Sequence, residues 1–169
     1  DGPDWTEGVV QLDQDHPEVR DFLIDAASYW LNETEIDGLT LQAVDESSVD
    51  FLTYFTETLK TEHENIYLLG DVLYSSENGH EIMNETALDA MENYTLGERI
   101  AEVFEAPDQP VDAIFEASED ALEQHSIVTL DNKYSKRFSH RFSENGRNAL
   151  TAWKLALTYL YTTPGTPAI

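Results

Sequence analysis

Apolar residues recur along this chain in two rhythms. The helical rhythm of three and four begins after Asp15-His16-Pro17-Glu18, an acidic start with Pro in the first turn. Val19, Phe22, Leu23, Ala26, Ala27 and Trp30 follow at helical spacing, with Arg20, Asp21, Asp25 and Ser28 opposite, and the helix is expected to end near Asn32. Ser48 opens a second helix with Phe51, Leu52, Phe55 and Leu59 inward. Leu96–Ala106 and Val111–Gln124 repeat the rhythm, the latter with Val111, Phe115 and Leu122 as inward markers. Ala149, Ala152, Trp153, Ala156, Leu157 and Leu160 make a strongly apolar last helix. Between these lie short continuous apolar runs: Glu35 to Val44, Ile66 to Leu73 and Ile127 to Asn132. Leu88 to Tyr94 is a further short strand candidate with helical character of its own, and Pro167 to Ile169 begins another run.

Strands alternating with helical patterns predict an α/β fold, a parallel sheet with crossover helices, in a single domain over 1–169. Runs apolar on both faces suit strands covered on both sides. In such folds chemistry gathers at the C-terminal ends of the strands. That directs attention to Gln42, Asp71 and the Lys133-Tyr134 pair.

Composition narrows the possible partners. The formal net charge is -25 over 169 residues. No Lys or Arg occurs between Arg20 and Lys60 or between Lys60 and Arg99. Such a surface repels nucleic acid and anionic membrane, and no apolar run is long enough to span a bilayer. Lys133, Lys136, Arg137, Arg141 and Arg147 gather in one stretch. Two readings stay open for it: local counter-charge in an acidic protein, or a docking spot for an anionic group. Cysteine is absent, which removes disulfides and thiolate metal sites. The Asn-x-Thr triplets at Asn32, Asn84 and Asn93 are of the kind an Asn- and Thr-rich chain produces by chance. The chain begins at Asp1 without Met, as a processed or excised piece does. His16, His63, His80, His125 and His140 share no ligand spacing, and no calcium loop or phosphate cradle occurs, so no cofactor or metal is expected. Trp5, Tyr67, Tyr74 and Tyr134 are aromatics of a kind that stacks on sugars.

The order of the pieces resembles the catalytic TIM barrel of the α-amylase family of glycoside hydrolases. PEVRDFLIDAASYWL resembles the helix before that family's fourth strand, and IDGLTLQAV its fourth-strand motif, roughly DGFRLDAAKH. IYLLGDV resembles the fifth-strand motif, LDAMENY the sixth strand, TLDNKYSKRF the seventh-strand motif (roughly FLDNHDTPRF), and TTPGTPAI the lead-in to the eighth. The likeness runs from about Pro17 to Ile169, which corresponds to strands four to eight and leaves the first three unmatched.

The resemblance implies a chemistry and also its loss. Retaining glycosidases need two carboxyl groups flanking the glycosidic bond, one as nucleophile and one as acid/base. The family adds a third on the seventh strand. The nucleophile position falls on Gln42, a neutral amide, and the Arg two residues earlier is Thr40. The acid/base position is Asp71, one methylene shorter than Glu, and a displacement of about an ångström can cost a hundredfold. Asp131 and Asn132 are kept, while the His and Asp that follow are Lys133 and Tyr134. Asp45 and Glu46 stand where a Lys-His pair is usual.

The resemblance therefore implies a catalytically degenerate amylase-like domain that acts by protein or carbohydrate binding, not an enzyme. The alternative is a weak or altered hydrolase of α-glucans working through Asp71. A protein partner or the missing half of the barrel is the expected companion, in a secreted or cell-surface bacterial setting. Half a barrel would expose two strand edges, at Glu35 to Val44 and at Pro167 to Ile169.

Overall fold

The computed structural model describes residues 12–72, 79–105, 112–116, 125–143 and 148–169. Its elements run α1 (Pro17–Thr34), β1 (Gly38–Leu41), a 3-10 turn (Val44–Glu46), α2 (Val49–Glu62), β2 (Tyr67–Gly70), α3 (Gly79–Glu85), β3 (Ala90–Glu92), α4 (Tyr94–Glu105), β4 (Ser126–Thr129), α5 (Phe138–Ser143), α6 (Ala149–Leu160) and β5 (Thr166–Ala168). All five strands are parallel, in the order β1-β2-β3-β4-β5. Each neighbour in sequence is the neighbour in space, with a helical crossover between, as in part of a TIM barrel.

The strands are shorter than the apolar runs that announce them. The first occupies four residues inside Glu35–Val44 because left-handed backbone ends the run on both sides, at Glu35 (φ 54°) and Ala43 (φ 52°). The second stops at Gly70, so Asp71 leaves the ladder just beyond it. The third forms where the strand candidate Leu88–Tyr94 was ambiguous, and the helical character at its end belongs to α4. Of the Val111–Gln124 prediction, 112–116 is described and is helical, with Ile114 buried and Phe115 exposed, the reverse of the expected marker. Val111, Leu122, Trp5 and Tyr74 lie outside the described residues.

Two apolar clusters fix the helices on the sheet. One gathers Ile24, Leu31, Val44, Phe51, Leu52, Phe55, Leu59 and Leu68 beneath α1 and α2. The other gathers Leu96, Ile100, Val128, Phe138, Ala156 and Leu160 beneath α4 to α6. The expected inner face of α2 is the observed one, and Ser48 caps it by accepting from the Phe51 N–H at 3.2 Å. α1 departs from expectation. It buries Ile24 and Leu31, while Phe22 is 63% and Trp30 57% exposed. Its N-cap is His16, which makes no side-chain cap, and Asp15 instead pairs with Arg20 at 3.1 Å.

β1 pairs only with β2 and β5 only with β4 among the described residues. Among the described residues the sheet is five strands wide with β1 and β5 outermost, where a closed barrel has no outer strand.

Candidate functional site

The C-terminal ends of β1 to β4 converge on a pocket of about 230 Å³. Gln42, one residue past β1, and Asp71, one residue past β2, enter it because each strand breaks just before them. Glu92 closes β3, and Tyr94 opens α4 two residues later. Asp131, Asn132 and Lys133 arrive on the loop after β4.

A single chain of polar contacts runs through the pocket. The Lys133 ammonium donates both to Gln42 Oε1 and to Asp71 Oδ2. The other oxygen of Asp71 accepts from the Tyr94 hydroxyl at 2.5 Å, and that hydroxyl also meets Glu92 Oε2. One phenol carries one proton, so it donates in one direction only. Burial pushes the Glu92 carboxyl above its usual range; the Tyr94 hydrogen bond pulls it down, and neighbouring Asp71 pushes it up again. Tyr94 is held protonated by burial first, then by its hydrogen bonds to Asp71 and Glu92. Desolvation pulls Lys133 down, but its contacts with Asp71 and Tyr134 together outweigh that and leave it above the usual lysine range.

The ion pair is lopsided. The Asp71 side chain is 1% exposed and that of Lys133 46%. Lys133 reaches in from a loop built by its neighbours. Asp131 accepts from the Phe138 N–H at the start of α5 and lies 3.7 Å from Arg137. Asn132 Oδ1 accepts from the Tyr134 N–H at 2.8 Å, closing a tight turn. The Tyr134 ring packs edge-on against Tyr94 at 5.9 Å, and Lys133 Nζ sits 4.9 Å from the Tyr134 centroid.

The structure thus brings together Gln42, Asp71, Asp131, Asn132 and Lys133, with Tyr134 at their rim. Thr40 lies apart from that pocket: it lines a separate groove of about 280 Å³, beside Leu23 and Phe51, which Gln42 also borders. Tyr67 sits at the opposite end of the sheet, at the N-terminus of β2. Arg141, in the basic stretch, makes a two-pronged pair with Glu98 at 2.8 and 2.7 Å, which is the counter-charge reading at that residue. Glu92 and Tyr94 escaped the sequence reading. The signal was present, since Glu92 ends a strand as Gln42 and Asp71 follow theirs. Among the described residues no group of three His, Cys, Asp or Glu side chains is placed to hold a metal ion, and no helix is long and apolar enough to cross a membrane.

The raised pKa of Glu92 has a measurable consequence. A carboxyl whose folded pKa is raised binds more protons in the folded state than in the unfolded one. It therefore costs stability at neutral pH and returns it as pH falls through the folded value toward the unfolded one. Glu92→Gln keeps a donor toward Tyr94 and removes the titration. Urea denaturation should find this variant more stable than the parent at pH 8, with the gap closing toward pH 5. A gap that is constant with pH would mean that the Glu92 carboxyl is not raised by its burial.

No family model matches the chain. A cyclomaltodextrinase from a Bacillus species is 33% identical over 96 residues, which is 57% of this chain and 17% of that enzyme. The intracellular maltogenic amylase of Bacillus subtilis is 27% identical over 174 residues, 98% of this chain and 28% of its own length. Among solved structures, an Anoxybacillus α-amylase superimposes with a TM-score of 0.85 at 28% identity, covering 95% of this chain and 37% of that one. The Geobacillus thermoleovorans α-amylase crystallised with acarbose gives 0.84 at 30% identity, covering 96% and 38%. The chain spans well under half the length of the relatives it matches.

Proposed function

We propose that this relative of the α-amylase glycoside hydrolases, similar in sequence and fold to part of their TIM barrel, is a binding domain whose hydrolytic site is sealed from within. One observation carries the reading: the Lys133 ammonium lies between Gln42 and Asp71 and bonds to both. By the family resemblance those are the nucleophile and acid/base positions. A glycosidic bond would have to lie between them. Gln42 cannot attack as a carboxylate, and Asp71 is engaged by a lysine and a tyrosine. A group held in a charge-assisted bond to a tethered partner is a poor proton donor to a transient one.

The domain then acts by binding, to a protein or to a carbohydrate. A secreted or cell-surface bacterial setting belongs to the same proposal. The Bacillus subtilis relative is an intracellular enzyme, so fractionation of the native cells decides that point. The alternative, weak α-glucan hydrolysis through Asp71, has one observation in its favour: Asp71 is a buried carboxyl at the mouth of the sheet, where this fold places catalysts.

Trapping with a fluorinated glycosyl donor tests the proposal. Groups that act as a unit are strongly non-additive, so single repairs restore little. Gln42→Asp supplies a carboxylate, but Lys133 beside it would pair with the new charge. The parent and this variant should both stay unlabelled. Thr40→Arg, Gln42→Asp, Asp71→Glu and Tyr134→Asp together are the least change expected to matter. Covalent labelling of the Gln42→Asp variant alone would show a working sugar subsite and defeat the proposal.

A further inference from the structure

Three helices carry acid and no base in their last turn. In α1 that turn holds Glu33, and Glu35 follows as the exposed C-cap. α3 closes on Glu85 and α4 on Glu105. The C-terminus is the negative end of the helix dipole, so an acid there opposes it, and salt screens the conflict. The side of α1 repeats the pattern. Glu18, Asp21 and Asp25 are exposed and spaced by three and four, so like charges are neighbours on one face. Each choice of this kind weakens a fold in dilute buffer.

The bases that could offset these acids are already engaged. Arg20, Lys60, Arg99, Lys133, Arg137 and Arg141 each face a carboxylate. With 9 Lys and Arg against 34 Asp and Glu, the chain keeps a formal charge of -25. The surplus acids repel one another across the folded surface, and unfolding relieves them by moving them apart.

Screening decides the sign of the salt effect. The Debye length is about 10 Å at about 0.1 M salt and about 3 Å at about 1 M. Molar salt therefore removes repulsion between neighbouring side chains that dilute salt leaves in force. It also weakens the exposed pairs Arg20–Asp15 and Arg99–Glu102, but pairs at the surface contribute little. The Lys133–Asp71 pair is protected by the burial of Asp71. The repulsions removed outnumber the attractions lost.

We infer that the fold is conditional on salt: the chain is stable in about molar monovalent salt and loses structure on dilution toward about 0.1 M. The effect is spread over the surface. Among the described residues no group of three His, Cys, Asp or Glu side chains is placed to hold a metal ion, so sodium and potassium serve alike. Salt then decides when the chain is folded, whatever its pocket binds.

Urea denaturation of the full chain, followed by far-ultraviolet circular dichroism, tests this in potassium chloride and in sodium chloride at about 0.1, 1 and 3 M. The urea midpoint should about double from the lowest salt to the highest, equally in the two salts. A chain already unfolded at the lowest salt that refolds when salt is added is the same result in stronger form. Sucrose strengthens burial without screening charge, so at matched osmolality it should reproduce only a small part of the gain. Asp21→Lys, Glu33→Lys and Glu85→Lys together reverse acids on α1 and α3, away from the pocket. This variant should have a higher midpoint than the parent at the lowest salt and a flatter response to salt. Should it fail to fold, Glu33→Lys alone should show the same change in smaller measure. A midpoint indifferent to salt, a gain complete at millimolar salt or restricted to one cation, an equal gain from sucrose, or variants that respond as the parent does would each overturn the inference. Glycosyl trapping, run at the salt where the chain is folded, judges the sealed pocket separately.

Discussion

Lys133→Met should lower stability by about 2 kcal/mol at pH 8. Methionine keeps most of the lysine's length but removes the ammonium, leaving the buried Asp71 carboxylate to the Tyr94 hydroxyl. Breaking a fully buried pair costs about 3–5 kcal/mol, and the half-exposed ammonium scales that down. The asymmetry of burial gives the prediction its sign. Asp71→Asn removes the charge that cannot reach water and frees a lysine that can, so it should cost clearly less than Lys133→Met. The double variant should recover most of the loss, because no charge is then stranded. Urea denaturation of the four proteins at pH 8 measures the coupling directly. Equal costs for the two single variants, with simple additivity in the double, would mean that the ion pair is a surface contact without weight.

Gly97→Ala should be worse still, at about 3 kcal/mol or more. Alanine ordinarily improves a helix interior by about 1 kcal/mol over glycine. Here a Cβ on residue 97 would fall 1.9 Å from the Thr129 carbonyl oxygen. That oxygen is backbone, at the end of β4, and cannot swing aside as a side-chain tip can. Either α4 lifts from the sheet or β4 yields, and both would disturb the buried Leu96 and Ile100 as well. Because the loop carrying Lys133 follows directly from β4, the damage should spread to the pocket. Thermal melting reads the first effect; loss of coupling between Lys133 and Asp71 reads the second. A variant as stable as the parent would show that α4 and β4 are not in this close contact.

Much of this fold was legible because a parallel sheet writes itself plainly. Runs apolar on both faces, separated by helical patterns, gave the parallel sheet, and the family resemblance gave the strand order and pointed to Gln42 and Asp71; the strands themselves end earlier than the runs. The inner face of α2 was legible because a single stripe, Phe51 to Leu59, leaves no choice. α1 was not, for a physical reason. Its apolar arc is too broad for the described structure to cover, and periodicity reports which residues are apolar, not which are covered. Thr40 was tied to Gln42 by the family resemblance; it shares a groove with Gln42 but does not line the pocket that Gln42 forms with Asp71. The seal itself could not be read from the chain. Lys133 lies 91 residues from Gln42 and 62 from Asp71, and the meeting depends on a long flexible side chain aimed by the Asn132 turn.

The central claim is that Asp71 is held by Lys133 and Tyr94 and does no hydrolytic work. The direct measurement is turnover of maltooligosaccharides and nitrophenyl glucosides by the parent chain and by Asp71→Asn, across pH 4 to 9. The sealed pocket predicts that both stay at the background of buffer alone at every pH. Turnover by the parent that Asp71→Asn abolishes would contradict it and establish Asp71 as a working acid/base.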